Sequence, residues 1–196
     1  MIDIKNKNSG FTFIELIVVI GIFAIIAGIV LFNFRDFGDN ANLTNVAQDI
    51  ALDIHKAQVN SVSGLQNSAF GTLAPSYGVH LSMDHSDGFY KIVNFIDTTG
   101  NKTYTSSLSV CNPPECLDIL KLPSNIVVSN LIANNGMNSY PPGQDLDVTF
   151  IRPYTDATFR NQRNNSISDI EIDIQSANTS RTKTIRVFST GQISVE

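Results

Sequence analysis

"GFTFIELIVVI", Gly10 to Ile20, is the stretch on which the reading of this chain turns. It is apolar except for one carboxylate, Glu15, near its start, and a glycine stands at its border. Ahead of it lies "MIDIKNKNSG", with Lys5 and Lys7. Behind it, Leu16 to Phe32 holds no charged residue, and the chain is almost continuously apolar from Phe11 to Phe34. About 20 such residues, at ~1.5 Å each in a helix, span a bilayer core of roughly 30 Å. An unpaired charge in such a helix is costly, so Glu15 marks a position with a task.

Three readings compete for this segment. A cleaved secretory signal fits poorly, because the apolar run is long and "FNFRDFGDN" follows it in place of a small-residue cleavage site. A plain signal anchor is consistent with Lys5 and Lys7 before the run, which place the N-terminus in the cytoplasm. A third reading uses Gly10, Phe11 and Glu15 together. A cut after Gly10 gives Phe11 a free α-amine at the apolar end of the segment. In a packed array of helices that amine meets Glu15 of a neighbouring chain, so the carboxylate is neutralised only when subunits stack in register.

"SGFTFIELIVVIGIFAIIAGIV" resembles the class III signal of type IV pilins and of the pseudopilins of type II secretion, over about residues 7–34. The resemblance implies cleavage between Gly10 and Phe11 by a membrane-embedded prepilin peptidase and N-methylation of Phe11. It assigns Glu15 the pairing role. It also implies an inner-membrane assembly platform, other pilin or pseudopilin subunits as partners, and membrane lipid around the helix before assembly. The expected location is the bacterial cytoplasmic membrane, single-pass, with the head outside, and then an extracytoplasmic filament. Many type IV pilins carry a proline in the apolar half of this helix; here Gly21 and Gly28 are the only soft spots.

The helix is expected to run on past the apolar stretch, from about Phe11 to about Ser63. Leu43, Val46, Ala47, Ile50, Ile54, Ala57 and Ser61 recur at spacings of three and four, one stripe of an amphipathic helix. Asp49, Asp53, Lys56 and Asn60 fall off it, and His55 beside it reads as packing. Gly38, Asp39 and Asn40 are the weakest point. The first proline is Pro75.

Beyond Ala74 the pattern changes to period two. "YGVHLSM", "FYKIVNFID", "NIVVSNLIA", "LDVTFI", "ISDIEIDIQ" and "KTIRVFST" read as strands, with Ile167, Ile170, Ile172 and Ile174 inward and Asp169, Glu171 and Asp173 outward. "DTTGN", 97–101, reads as a hairpin loop, and "FSTGQISVE" as a hairpin around Gly191. The expected fold is therefore α+β, one long N-terminal helix packed on an antiparallel β-sheet head, as in pilins. The segments are a leader at 1–10, a membrane or filament-core half-helix at 11–34, an amphipathic half-helix at 35–64, and a head at 75–196. "YGVHLS", "LPSNIVVS" and "IRVFSTGQISVE" weakly resemble the H-type minor pseudopilin.

Cys111 and Cys116, in "CNPPEC", are the only cysteines. They read as a disulfide, half of a metal site, or two free thiols on a proline-stiffened turn; an extracytoplasmic head favours the disulfide. "HLSMDHSDG" offers His80, Asp84, His85 and Asp87, but the two histidines have opposite strand parity and the spacing is not that of a calcium loop. No nucleophile–base pair and no phosphate loop stand out, so neither an enzyme, a metal nor a cofactor is expected. Net charge is −5, which does not favour nucleic acid. Arg160, Arg163, Arg181, Lys183 and Arg186 cluster in sequence with acids interleaved, so DNA binding is disfavoured as well. The leading expectation is a structural subunit of a type IV pilus or type II secretion pseudopilus. Its rivals are a minor tip pilin whose head binds DNA or a surface ligand, and a signal-anchored domain that never polymerises.

Overall fold

The computed structural model describes residues 10–64, 76–82, 90–105, 111, 115–134, 145–160 and 167–196, with the backbone alone at 32–37. The chain divides into two compact units, Met1–Gly38 and Asp39–Glu196. One helix, α1 (Phe13–Ser63), supplies most of the described residues of the first and opens the second. Gly38, Asp39 and Asn40, expected to be its weakest point, are helical, and the boundary between the units falls there.

In the first unit every large side chain from Phe13 to Leu31 is exposed, from 49% to 78%. No polar stripe interrupts this stretch, so no face of it is suited to water.

In the second unit α1 behaves in the opposite way. Leu43, Val46, Ala47, Ile50, Ile54, Ala57 and Ser61, the expected stripe, are all buried. Ser61 Oγ donates to the Phe150 carbonyl at 2.6 Å, so the one hydroxyl on the stripe costs nothing. Gln58, one position off it, is buried too, and its amide donates at 3.0 Å to the carbonyls of Thr155 and Gly191. His55 corrects an expectation: it is exposed, with Nδ1 3.1 Å from Gln58 Oε1, because one helical step of about 100° from Ile54 turns it off the buried face. The helix ends at Gly64, where φ is +65°, and the Arg152 guanidinium fills the space a Cβ would need. The last turn of α1 holds no basic residue of its own, so Arg152 supplies the cation that its carbonyl end favours.

Among the described residues, nine strands form two antiparallel sheets. The first has the order β3-β2-β1-β5-β6, from β1 (Ser76–Ser82), β2 (Lys91–Asp97), β3 (Cys116–Lys121), β5 (Leu146–Phe150) and β6 (Ala157–Arg160). The second has the order β4-β7-β8-β9, from β4 (Ile126–Asn134), β7 (Asp169–Ser176), β8 (Thr182–Phe188) and β9 (Ile193–Val195). β3 and β6 are short and were not read from sequence. "DTTGN" is a turn within the longer 98–115 connection between β2 and β3, and is not itself a tight hairpin.

The α1 stripe, Tyr77, Val79, Leu81, Ile92, Ile96, Val148 and Phe150 of the first sheet, and Ile170, Ile172, Ile174, Ile185 and Val187 of the second share one core. Ile167 packs against its edge, just ahead of β7. The outward acids of β7 differ among themselves. Asp169 is buried, because Arg186 Nη2 at 2.8 Å, Asn134 Nδ2 at 2.9 Å and Ser168 Oγ at 2.8 Å close over it.

Candidate functional site

The motif that carried the sequence reading sits where the helix begins. Gly10, Phe11 and Thr12 precede α1, and all three are exposed, Phe11 by 82%. A Cβ built on Gly10 would meet nothing within 4 Å, so no packing within the chain requires glycine there. The same holds for Gly21 and Gly28. Any demand for a bare backbone at Gly10 must come from a molecule that approaches it.

Glu15 lies in the first turn of α1, where a carboxylate complements the positive end of the helix dipole. Thr12 Oγ1 accepts the Glu15 N–H at 3.3 Å, and the Thr12 N–H and hydroxyl each donate to Glu15 Oε2 at 3.5 Å. This partner was missed in sequence, although Thr-x-x-Glu before an apolar run is a recognisable capping signal. Behind it, Phe13–Leu31 is long and apolar enough to cross a membrane. Lys5 and Lys7 lie outside the described residues.

The head has a second polar assembly. Cys111 and Cys116 are joined in a disulfide with Cα atoms 5.2 Å apart; Pro113 and Pro114 between them lie outside the described residues. The disulfide belongs to a small second core on the outer face of the first sheet, with Val93, Phe95 and Tyr104. This core explains why β2 is buried on both faces: the connection after it folds back over the sheet. Three buried carboxylates hold that connection. Asp97 accepts the Gly100 and Lys102 N–H groups at 2.8 and 2.9 Å, Asp147 the Tyr104 N–H at 3.2 Å, and Glu115 the Thr105 N–H at 2.9 Å.

His80 enters here as a structural residue. Its Nδ1 is 2.8 Å from Asp147 Oδ1, and its ring lies 5.2 Å from that of Tyr104. Burial pushes the Tyr104 phenol upward, with the Glu115 charge adding to it. The sequence set His80 among its chain neighbours and disfavoured a site there; its partner is 67 residues away. His85, Asp84 and Asp87 lie outside the described residues, among which no group of three His, Cys, Asp or Glu side chains could hold a metal ion.

Of the basic residues clustered in sequence, Arg186 is held by Asp169 and, at 3.3 Å, by Glu171, and its guanidinium lies over Phe188. Arg163 lies outside the described residues.

Residues 5–31 match the model of the prokaryotic N-terminal methylation motif. The match carries the class III signal, as in type IV pilins and pseudopilins, and is confined to the N-terminal segment. No curated protein and no solved structure matches the chain.

Proposed function

We propose that this chain, a pilin- or pseudopilin-like precursor by its motif, is a structural subunit of a type IV pilus or a type II secretion pseudopilus. In this reading a prepilin peptidase cuts between Gly10 and Phe11, and Phe11 is N-methylated. The leader is 1–10, the membrane and filament-core half-helix 11–34, the amphipathic half-helix 35–64, and the head 75–196. The head faces outward from the cytoplasmic membrane. The observation that carries the proposal is the pairing of a processing motif with an apolar helix exposed on all faces. Such a surface must be covered by lipid or by other subunits, and a filament of like chains supplies the second after the first. Glu15 is then the register device, paired with the Phe11 amine of a neighbour.

The tip-adhesin alternative for DNA draws no support from Arg186, whose guanidinium is already taken by two carboxylates.

The test is the mass of the mature chain from membranes. The parent should lack ten residues and carry one extra methyl group, and Gly10→Val should accumulate as uncut precursor. A Gly10→Val chain with the parent's mature mass would overturn the processing step. Glu15→Ala should be cut and inserted, since Gly10 and Phe11 are untouched and the helix becomes more apolar, yet fail to enter filaments that can be sheared off. Thiol labelling of the native, unreduced head should find neither Cys111 nor Cys116.

A further inference from the structure

Glu15 has a partner before any neighbour arrives. The Leu16 N–H donates to the Thr12 carbonyl at 3.2 Å, so α1 starts from Thr12. The Thr12 hydroxyl caps the Glu15 N–H, and the Glu15 carboxylate returns to the Thr12 N–H and hydroxyl. The first four N–H groups of a helix have no acceptor within it, and an apolar surrounding offers no water to replace one. Thr12 and Glu15 each satisfy one such group for the other. The carboxylate is thereby kept at the mouth of the helix, turned away from the apolar stretch that follows. The carboxylate thus has polar partners of its own before a neighbour supplies the neutralising charge.

The lengths of these contacts matter. The carboxylate contacts are 3.5 Å, against roughly 2.7–2.9 Å for a well-formed charge-assisted bond. They orient the group without binding it firmly, so an ammonium at ordinary ion-pair distance displaces them. A cut after Gly10 leaves the Thr12 amide and hydroxyl intact.

We infer that Thr12 is the positioning residue for Glu15: it holds the carboxylate at the helix mouth of the single subunit and releases it to the amine of the next. This rests on the filament reading above and adds the state from which pairing begins.

The experiment is amide hydrogen exchange on the full-length chain in detergent micelles, together with incorporation into filaments, for Thr12→Val, Thr12→Ser and Glu15→Ala. Thr12→Val should speed exchange of the residue-15 amide by about five-fold, the effect of losing one cap, and Thr12→Ser should restore it. Glu15→Ala should speed exchange of the Thr12 amide in turn. Incorporation should fall with Thr12→Val and recover with Thr12→Ser. Thr12→Val exchange equal to the parent's, or Thr12→Ser behaving like Thr12→Val, overturns the inference. The exchange measurements need neither cleavage nor assembly. A chain that is never cut or polymerised therefore defeats the filament reading and leaves the cap standing, whereas normal filaments from Thr12→Val overturn the positioning role alone.

Discussion

The two parts of α1 are built from similar residues and treated in opposite ways. From Phe13 to Leu31 isoleucine, valine, leucine and phenylalanine appear on every face, and the large side chains are all exposed. From Leu43 to Ser61 most apolar residues line up in a stripe, and that stripe is buried. The outer side still shows Leu52, Val59 and Val62, with polar residues such as Asp49, Lys56 and Asn60 around them. The difference teaches that the arrangement of apolar residues, more than their number, states the intended surroundings. A stripe asks for one packed neighbour, and a cylinder asks for an apolar medium.

Substitution by alanine is the sharpest way to break that comparison. Ile54→Ala should lower the stability of the head by about 2–5 kcal/mol, since Ile54 is fully buried in the shared core. Ile22→Ala, in the exposed half, should leave the melting temperature of the head where it was. Equal effects of the two, measured by thermal unfolding of the full chain, would mean that the halves are not independent.

The next effect probes the second core. A Cβ on Gly78 would lie 2.7 Å from both Phe95 Cζ and the Val148 carbonyl oxygen, and the latter is backbone that cannot step aside. Gly78→Ala should cost about 1–3 kcal/mol in denaturant unfolding. Gly21→Ala, in open space on the exposed half, should cost the head nothing.

A smaller effect depends on pH. Desolvation alone would raise the Asp169 carboxyl, but hydrogen bonds from Asn134, Ser168 and Arg186 outweigh it and hold the group below its ordinary value. A carboxylate depressed in the folded state stabilises the fold above its unfolded value, ~3.9, and that contribution is lost as pH falls through the folded value. Asp169→Asn should therefore flatten the acid side of the stability profile and lower stability at neutral pH. An unchanged slope below ~pH 4 would show that the network is only surface decoration.

The smallest effect has the reverse sign. Asp53 is held above its ordinary value chiefly by desolvation against the head, partly offset by Lys56. A carboxyl raised in the folded state contributes most below its unfolded value, and that contribution is lost as pH rises through the folded one. Asp53→Asn should raise the melting temperature at neutral pH by about 1–2 °C, an amount kept small by the group's partial exposure.

The sequence by itself determined the elements that depend on local chemistry. The apolar cylinder, the Gly10–Phe11–Glu15 motif and the buried stripe through Ile50 and Ile54 are all visible within a few turns of helix, because helical periodicity converts spacing directly into a face. The alternation of β7 was equally plain. Thr12 could have been read in the same way, since its partner is three residues on. Tertiary structure alone decided what depends on chain that returns from far away. Asp169 belongs by parity to the outward face of β7, yet it is buried because Arg186 comes back beside it. His80 found Asp147 and Gln58 found Gly191 across most of the head. The connection after Asp97 hid the outer face of β2, a face that alternation assigns to water. Spacing along the chain fixes which way a side chain points; what it meets there is set by sheet order and by the loops that close over it, and neither is written in local spacing.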